Sequence, residues 1–157
     1  MSSRTDKDSN NRTVATNRRA RFDLEIEETF EAGLALLGSE VKSLREGGTV
    51  IRDGYVMVEA NGLYLVNIHI PEYRHANRHN HVPDRPRRLL LHRREIDIIS
   101  EGLLEKGRTC IPMRIFFARG LAKVELGLGR GKKAHDRRQD IKERDARREM
   151  DRARRSH

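Results

Sequence analysis

At 157 residues the chain has room for one domain plus tails, and 33 Lys and Arg against 24 Asp and Glu give a formal charge of +9, a field that gathers phosphate polyanions before any specific contact forms. A run of about 18 apolar residues for a membrane span and a charged-then-apolar leader are both missing from the sequence, so a cytoplasmic protein is expected. Aromatic residues make up 4% with no Trp, which argues against stacking a string of unpaired bases and for recognition of folded RNA through its shape and phosphates.

Residues 1–16 are polar and small, too poor in large apolar groups to offset their own ordering entropy, and read as a disordered lead. From Phe22 the alternation Phe22, Leu24, Ile26 against Asp23, Glu25, Glu27 has the period of two of a half-buried strand. Gly33 interrupts it and Leu34–Leu37 resumes it, the pattern of a bend or bulge where a strand wraps a barrel. Ser39 stands as an N-cap, and Leu37, Val41 and Leu44 recur at helical spacing up to Gly47-Gly48, so a short helix is predicted with Lys42 and Arg45 outward.

Tyr55–Val58 and Leu63–Ile70 flank Asn61-Gly62, a strong hairpin signal because both residues tolerate positive φ. Residues 71–88 hold three of the four prolines and read as a long basic loop. Leu89–Leu91 is an apolar knot, and Ile96, Ile99 and Leu103 then mark a second helix ending at Lys106-Gly107. Cys110–Phe117 and Leu121–Leu128 form a second hairpin across Ala118-Arg119-Gly120, with Pro112 expected at an edge. Cys110 has no partner for an internal disulfide and reads as a buried core thiol.

After Leu128 large apolar residues nearly vanish, and 12 Lys or Arg against 6 Asp or Glu place most of the excess charge in residues 129–157. Asp140 with Arg144, Glu143 with Arg147 and Asp151 with Arg155 are helix-favouring pairs at four residues. Ile141, Ala146, Met150 and Ala153 offer little to dock on a core. The predicted organisation is therefore a lead over 1–16, a β domain over 17–128, and a basic tail over 129–157 that is disordered alone and helical along RNA.

Catalytic and metal readings fare poorly against these residues. His75, His79 and His81 lack zinc-motif spacing, Glu25, Glu27, Glu28 and Glu31 sit on a strand whose outward face is solvated, and Gly129-Arg130-Gly131-Lys132-Lys133 lacks the glycine gap and the hydroxyl of a nucleotide loop. No catalytic residue, metal site or cofactor is expected, and a monomer is the default. The basic runs Asn17-Arg18-Arg19-Ala20-Arg21 and Arg85-Pro86-Arg87-Arg88, with the tail, favour an RNA-binding protein. Two other classes fit less of the sequence: a nuclease using His135 or the loop histidines, and a structural ribosomal protein.

Several strings are more specific than any periodicity. They are Asn17-Arg18-Arg19-Ala20-Arg21, Phe30-Glu31-Ala32-Gly33-Leu34, Gly38-Ser39-Glu40-Val41-Lys42-Ser43-Leu44-Arg45, Arg87–Ile96, and Gly131–Arg138. In this order and spacing, from Asn17 to about Met150, the chain strongly resembles the SsrA-binding protein (SmpB) family of bacterial trans-translation. The resemblance implies a small oligonucleotide-binding-like β-barrel with peripheral helices, bound to the tRNA-like domain of transfer-messenger RNA and delivered with it to stalled ribosomes. By motif it carries RNA contacts onto Asn17, Glu31 and Leu90, with Arg19, Lys42 and Arg88 as basic supports. It also implies that Gly131, Lys132, Lys133, His135, Asp136, Arg137 and Arg138 engage the small ribosomal subunit and read an empty mRNA channel. Ser39, bulkier in some relatives, and Pro86, often Thr, depart from the family pattern.

Overall fold

The computed structural model describes residues 12–132 and 134–155. Strand β1 (Thr13–Thr16) is followed by one turn of helix α1 (Ala20–Asp23), the long strand β2 (Leu24–Leu34) and helix α2 (Gly38–Glu46). The hairpin β3 (Tyr55–Glu59) and β4 (Gly62–Val66) precedes a long loop with a 3-10 turn at Asn77–His79. Strand β5 (Arg87–Leu90), helix α3 (Arg93–Leu104), the hairpin β6 (Arg108–Ala118) and β7 (Leu121–Gly131), and helix α4 (Ala134–Arg155) complete the chain.

All seven strands join one antiparallel sheet in the order β1-β6-β7-β2-β5-β4-β3. β2 organises it. Its eleven residues pair with β7 from Leu24 to Gly33, and Gly33 and Leu34 also pair with Leu90 and Leu89 of β5. A Cβ at Gly33 would lie 3.2 Å from that of Leu90, so a glycine lets β5 come in close. The sheet coils until β3 packs against β6, enclosing Phe30, Leu44, Ile51, Leu65, Ile68, Ile99, Ile115, Phe117 and Leu126. Among the described residues β1 and β3 are the two ends of the ladder.

Three expectations change. Thr13–Thr16 are not part of a disordered lead: they pair with β6 and bury Ala15, while 1–11 lie outside the described residues. Phe22 belongs to α1 rather than to the first strand, and the irregularity of β2 falls between Ile26 and Glu28 rather than at Gly33. Pro112 pairs with Leu126 of β7 beside a register shift between Pro112 and Arg114, and β1 pairs with β6 only from Arg114 to Phe116, so no β1 residue pairs with Pro112 and its missing N–H is tolerated at a local edge, as expected. In the first hairpin the positive φ falls on Gly62 (142°), and the Arg119-Gly120 turn of the second takes positive φ at both residues (53° and 78°).

β7 also runs three residues past the predicted end of the domain. Gly129 and Gly131, expected to interrupt regular structure, pair with Ile26 and Leu24. A Cβ at Gly129 would press on the Glu25 carbonyl, 2.8 Å from its carbon, so this glycine is required by a close backbone approach. Gly129→Ala should destabilise the fold by about 1–3 kcal/mol or more, read as a lower urea midpoint at unchanged slope. Wild-type stability in that variant would refute the packing argument. Cys110, on the β6 face toward the core, is fully buried, and that burial pushes its thiol up to about 12.

Candidate nucleic-acid interface

The outward face of the sheet follows from register, because directly paired residues of an antiparallel ladder point the same way. Leu90 pairs with Gly33 and Gly33 with Lys123, while Glu31 pairs with Glu125 one step along. β5 alternates cleanly: Arg87 and Leu89 turn in, Arg88 and Leu90 turn out, and Leu90 is left 54% exposed. Together Glu31, Gly33, Arg88, Leu90, His92, Glu95 and Lys123 line an open cleft of about 420 Å³ between the sheet and the start of α3.

Four of the polar side chains there are held. Lys123 Nζ donates to Glu31 Oε1 at 2.8 Å, and Arg88 Nη2 donates to the Asn61 carbonyl at 2.9 Å, tying the hairpin tip to the cleft. Glu95 Oε1 accepts from the His92 backbone N–H at 3.3 Å and fixes the first turn of α3. An exposed pair such as Lys123–Glu31 adds at most about 1 kcal/mol, so its consequence is orientation. A carboxylate has about four acceptor sites, and one lysine leaves Glu31 able to accept from base or ribose donors. The arrangement can bind RNA by a central apolar side chain flanked by two cations and a directed carboxylate.

Three of the six predicted RNA residues, Glu31, Arg88 and Leu90, therefore meet in one place, and the others do not join them. Asn17 is buried: its Nδ2 donates to the Pro112 carbonyl at 3.1 Å and its Oδ1 accepts from the Arg19 backbone N–H at 3.3 Å. It pins the β1–α1 turn onto the β6 irregularity. Arg19, on that turn, is paired with Asp23 at 3.8 Å and lies 5.5 Å over Phe22. Lys42 lies on α2, its Nζ 5.6 Å over the Tyr73 ring.

A second cationic cleft, of about 450 Å³, forms where α1 meets α4, with Arg18, Arg21, Lys132, Arg144 and Arg147 around Phe22. Arg144 lies 5.5 Å over that ring, and Lys132 Nζ is paired with Asp140. Of the predicted tail residues, Gly131 is the last of β7 and Lys132 bonds through its backbone N–H to the Asp23 carbonyl at 2.9 Å. Lys133 lies outside the described residues, as do the side chains of His135 and Asp136 on the first turn of α4. Arg137 and Arg138 are exposed on that helix. Residues Ala134–Arg155 of the tail form helix α4, which meets the domain at Lys132–Asp140 and Arg144–Phe22.

The basic run Arg85–Arg88 needs the largest correction. Arg87 is fully buried, its Nε donating to Glu40 Oε2 at 2.6 Å and its Nη1 and Nη2 to the Ile68 and Val82 carbonyls at 3.2 and 3.4 Å. Arg85 Nε reaches the other Glu40 oxygen at 3.1 Å. Glu40, equally buried, also accepts from the Leu37 N–H at 2.9 Å. Ser39 is not the N-cap: its hydroxyl meets His81 Nδ1 at 2.9 Å, while His81 Nε2 lies 2.9 Å from the Ile70 carbonyl. A carbonyl only accepts, so Nε2 carries the proton and Nδ1 accepts from Ser39. The Arg85 loop is thus strapped to α2 from inside, a role that a run of arginines in sequence does not disclose.

Among the described residues no group of three His, Cys, Asp or Glu is placed to hold a metal, and no helix is long and apolar enough to cross a membrane. Residues 14–156 match the model of the family described as SmpB protein. The chain is 51% identical over 148 residues to the SsrA-binding protein of Thermobifida fusca, covering 94% of this chain and 92% of that one. It is 54% identical over 142 residues to the SsrA-binding protein of Rhizorhabdus wittichii, covering 90% and 89%. A solved chain from a structure described as "tmRNA-SmpB: a journey to the center of the bacterial ribosome" superposes with a TM-score of 0.65 at 48% identity, over 77% of this chain and 85% of that one.

Proposed function

The chain belongs to the SmpB protein family, and from that premise we infer that it binds the tRNA-like domain of transfer-messenger RNA and helps deliver that RNA to stalled ribosomes for trans-translation. The observation that carries this reading is the convergence of Glu31, Arg88 and Leu90 in one outward cleft, an apolar centre between cations of the kind that reads RNA by surface complementarity. In this reading Glu31, Arg88 and Leu90 touch RNA. Asn17 contributes through the turn it pins, Arg19 through its guanidinium at the α1 surface, and Lys42 through long-range attraction of phosphate.

The same reading makes the protein a non-enzymatic, cytoplasmic, monomeric binding factor without a cofactor, and makes the coiled sheet a closed oligonucleotide-binding-like barrel, for which the packing of β3 on β6 is the support. The tail segment Gly131–Arg138 would enter the empty mRNA channel of the small subunit, a cationic segment fitting a phosphate-lined path only when no message fills it.

The test is competition binding of the full chain to the tRNA-like domain against excess ordinary tRNA at one fixed salt concentration. Selective binding that falls by about tenfold in Leu90→Ala and in Glu31→Ala, the loss expected when one charged hydrogen bond or one anchor disappears, supports the assignment. Equal and weak binding to both RNAs would reduce the protein to a general basic RNA binder.

A further inference from the structure

The row of paired residues that builds the cleft does not end at Lys123. Lys123 pairs with Phe116 of β6, and Phe116 with Thr13 of β1, so Leu90, Gly33, Lys123, Phe116 and Thr13 lie on one line across five strands. Strands stand about 4.8 Å apart, which puts Phe116 about 14 Å from Leu90 on the same outward face. Here the surface changes character. Arg114 lies over Phe116, its guanidinium carbon 4.2 Å from the ring centroid. It is fixed there from two sides, Nε donating to Glu125 Oε2 at 2.8 Å and Nη1 to Thr13 Oγ1 at 3.2 Å. Arg12 and Arg119, both exposed, stand at the rim of the same depression of about 320 Å³.

A guanidinium held over an aromatic ring is a preorganised stacking platform for a nucleobase, and flanking arginines suit the phosphates on either side of that base. We propose that Phe116 and Arg114 form a second RNA subsite that stacks one unpaired base, with Arg12 and Arg119 on its neighbouring phosphates, so that bound RNA runs across the sheet from the Leu90 cleft to the β1–β6 edge. This rests on the RNA-binding reading above and deepens it. It is compatible with the low aromatic content, because one platform takes one base rather than a string. Glu125, the carboxylate at the platform, holds Arg114 in place through its Nε and so favours the site rather than repelling it.

Because the chain has no Trp, Phe116→Trp installs a unique fluorophore at the platform. In the full-length variant, with its thermal midpoint checked against wild type, addition of the tRNA-like domain of transfer-messenger RNA should quench that emission at the concentration where binding occurs. In parallel, Arg12→Ala and Arg119→Asn should each weaken binding several-fold and lower the slope of log affinity against log salt by about 1. Asn tolerates the positive φ of residue 119, so that variant keeps the turn. If wild type binds selectively and Leu90→Ala weakens it while Phe116→Trp emission and both salt slopes stay unchanged, the subsite is overturned and the cleft reading stands. If wild type shows no selective binding, the cleft reading falls; quenching then still reports a general base-stacking site, and its absence overturns both.

Discussion

Glu40→Gln is expected to cost the fold about 3–5 kcal/mol, because it leaves the guanidinium of Arg87 buried without its countercharge. Arg87 has no route to water: both terminal nitrogens are committed to the Ile68 and Val82 carbonyls and its Nε to Glu40. The loss should appear in urea unfolding as a lower midpoint at unchanged slope. Arg85→Ala should cost less, since Arg85 keeps 29% of its side chain exposed and can be replaced by solvent. A joint change of Glu40 and Arg87 to Leu and Met should recover much of the loss, as paired buried charges replaced by apolar groups of similar size often do. Wild-type stability in Glu40→Gln would show that water reaches Arg87.

The same pair sets an acid dependence. Burial by itself would raise the Glu40 carboxyl, but the hydrogen bonds from Arg85, the Leu37 amide and Arg87 together outweigh it and hold the group below its ordinary 4.5. The unfolded chain therefore takes up the proton first as pH falls. The stabilisation is complete above about 4.5 and is lost as pH falls through the folded value. The stability gap between wild type and Glu40→Gln should accordingly narrow below that pH.

Elements with a strong local signature were legible in the sequence. The Arg119-Gly120 turn and the helical face Ile96, Ile99, Leu103 appear where spacing puts them, and the Asn61-Gly62 signal marks a hairpin whose two-residue turn is Ala60-Asn61, because turn chemistry and hydrophobic period act over a few residues. Thr13–Thr16 were not legible, since an edge strand that buries only Ala15 has almost no apolar signature of its own. Arg87 was not legible for the opposite reason. In sequence it is one of three arginines around a proline, and only the alternation imposed by β5, with Glu40 arriving from α2, separates the buried one from the exposed Arg88. No local pattern brings the residues of the cleft together: Glu31 and Leu90 lie 59 positions apart in the sequence, and the β2–β5 pairing at Gly33 is what joins them.

Truncation should separate RNA binding from ribosome rescue, provided the cut respects β7. Ending the chain after Leu128 would remove Gly131 from its pairing with Leu24 and Arg130 from its bonds to Glu27 and Glu105 at 3.3 and 3.1 Å, and so should lower stability as well as activity. Ending it after Lys132 keeps the sheet whole and removes only α4 and the residues around it. That shorter chain should bind the tRNA-like domain within about a few-fold of wild type, the residual loss being the screened attraction of the missing basic residues. In a reconstituted translation system with transfer-messenger RNA it should leave stalled nascent chains untagged, and the joint replacement of Gly131, Lys132 and Lys133 should do the same. Raised salt should erase the small binding difference without restoring tagging, because on the proposed function the two losses have different origins: one is diffuse charge, the other the loss of the segment proposed to occupy the mRNA channel. Full tagging by the chain ending at Lys132 would remove the tail from the rescue step, and collapse of specific RNA affinity would place the tail in the RNA interface instead.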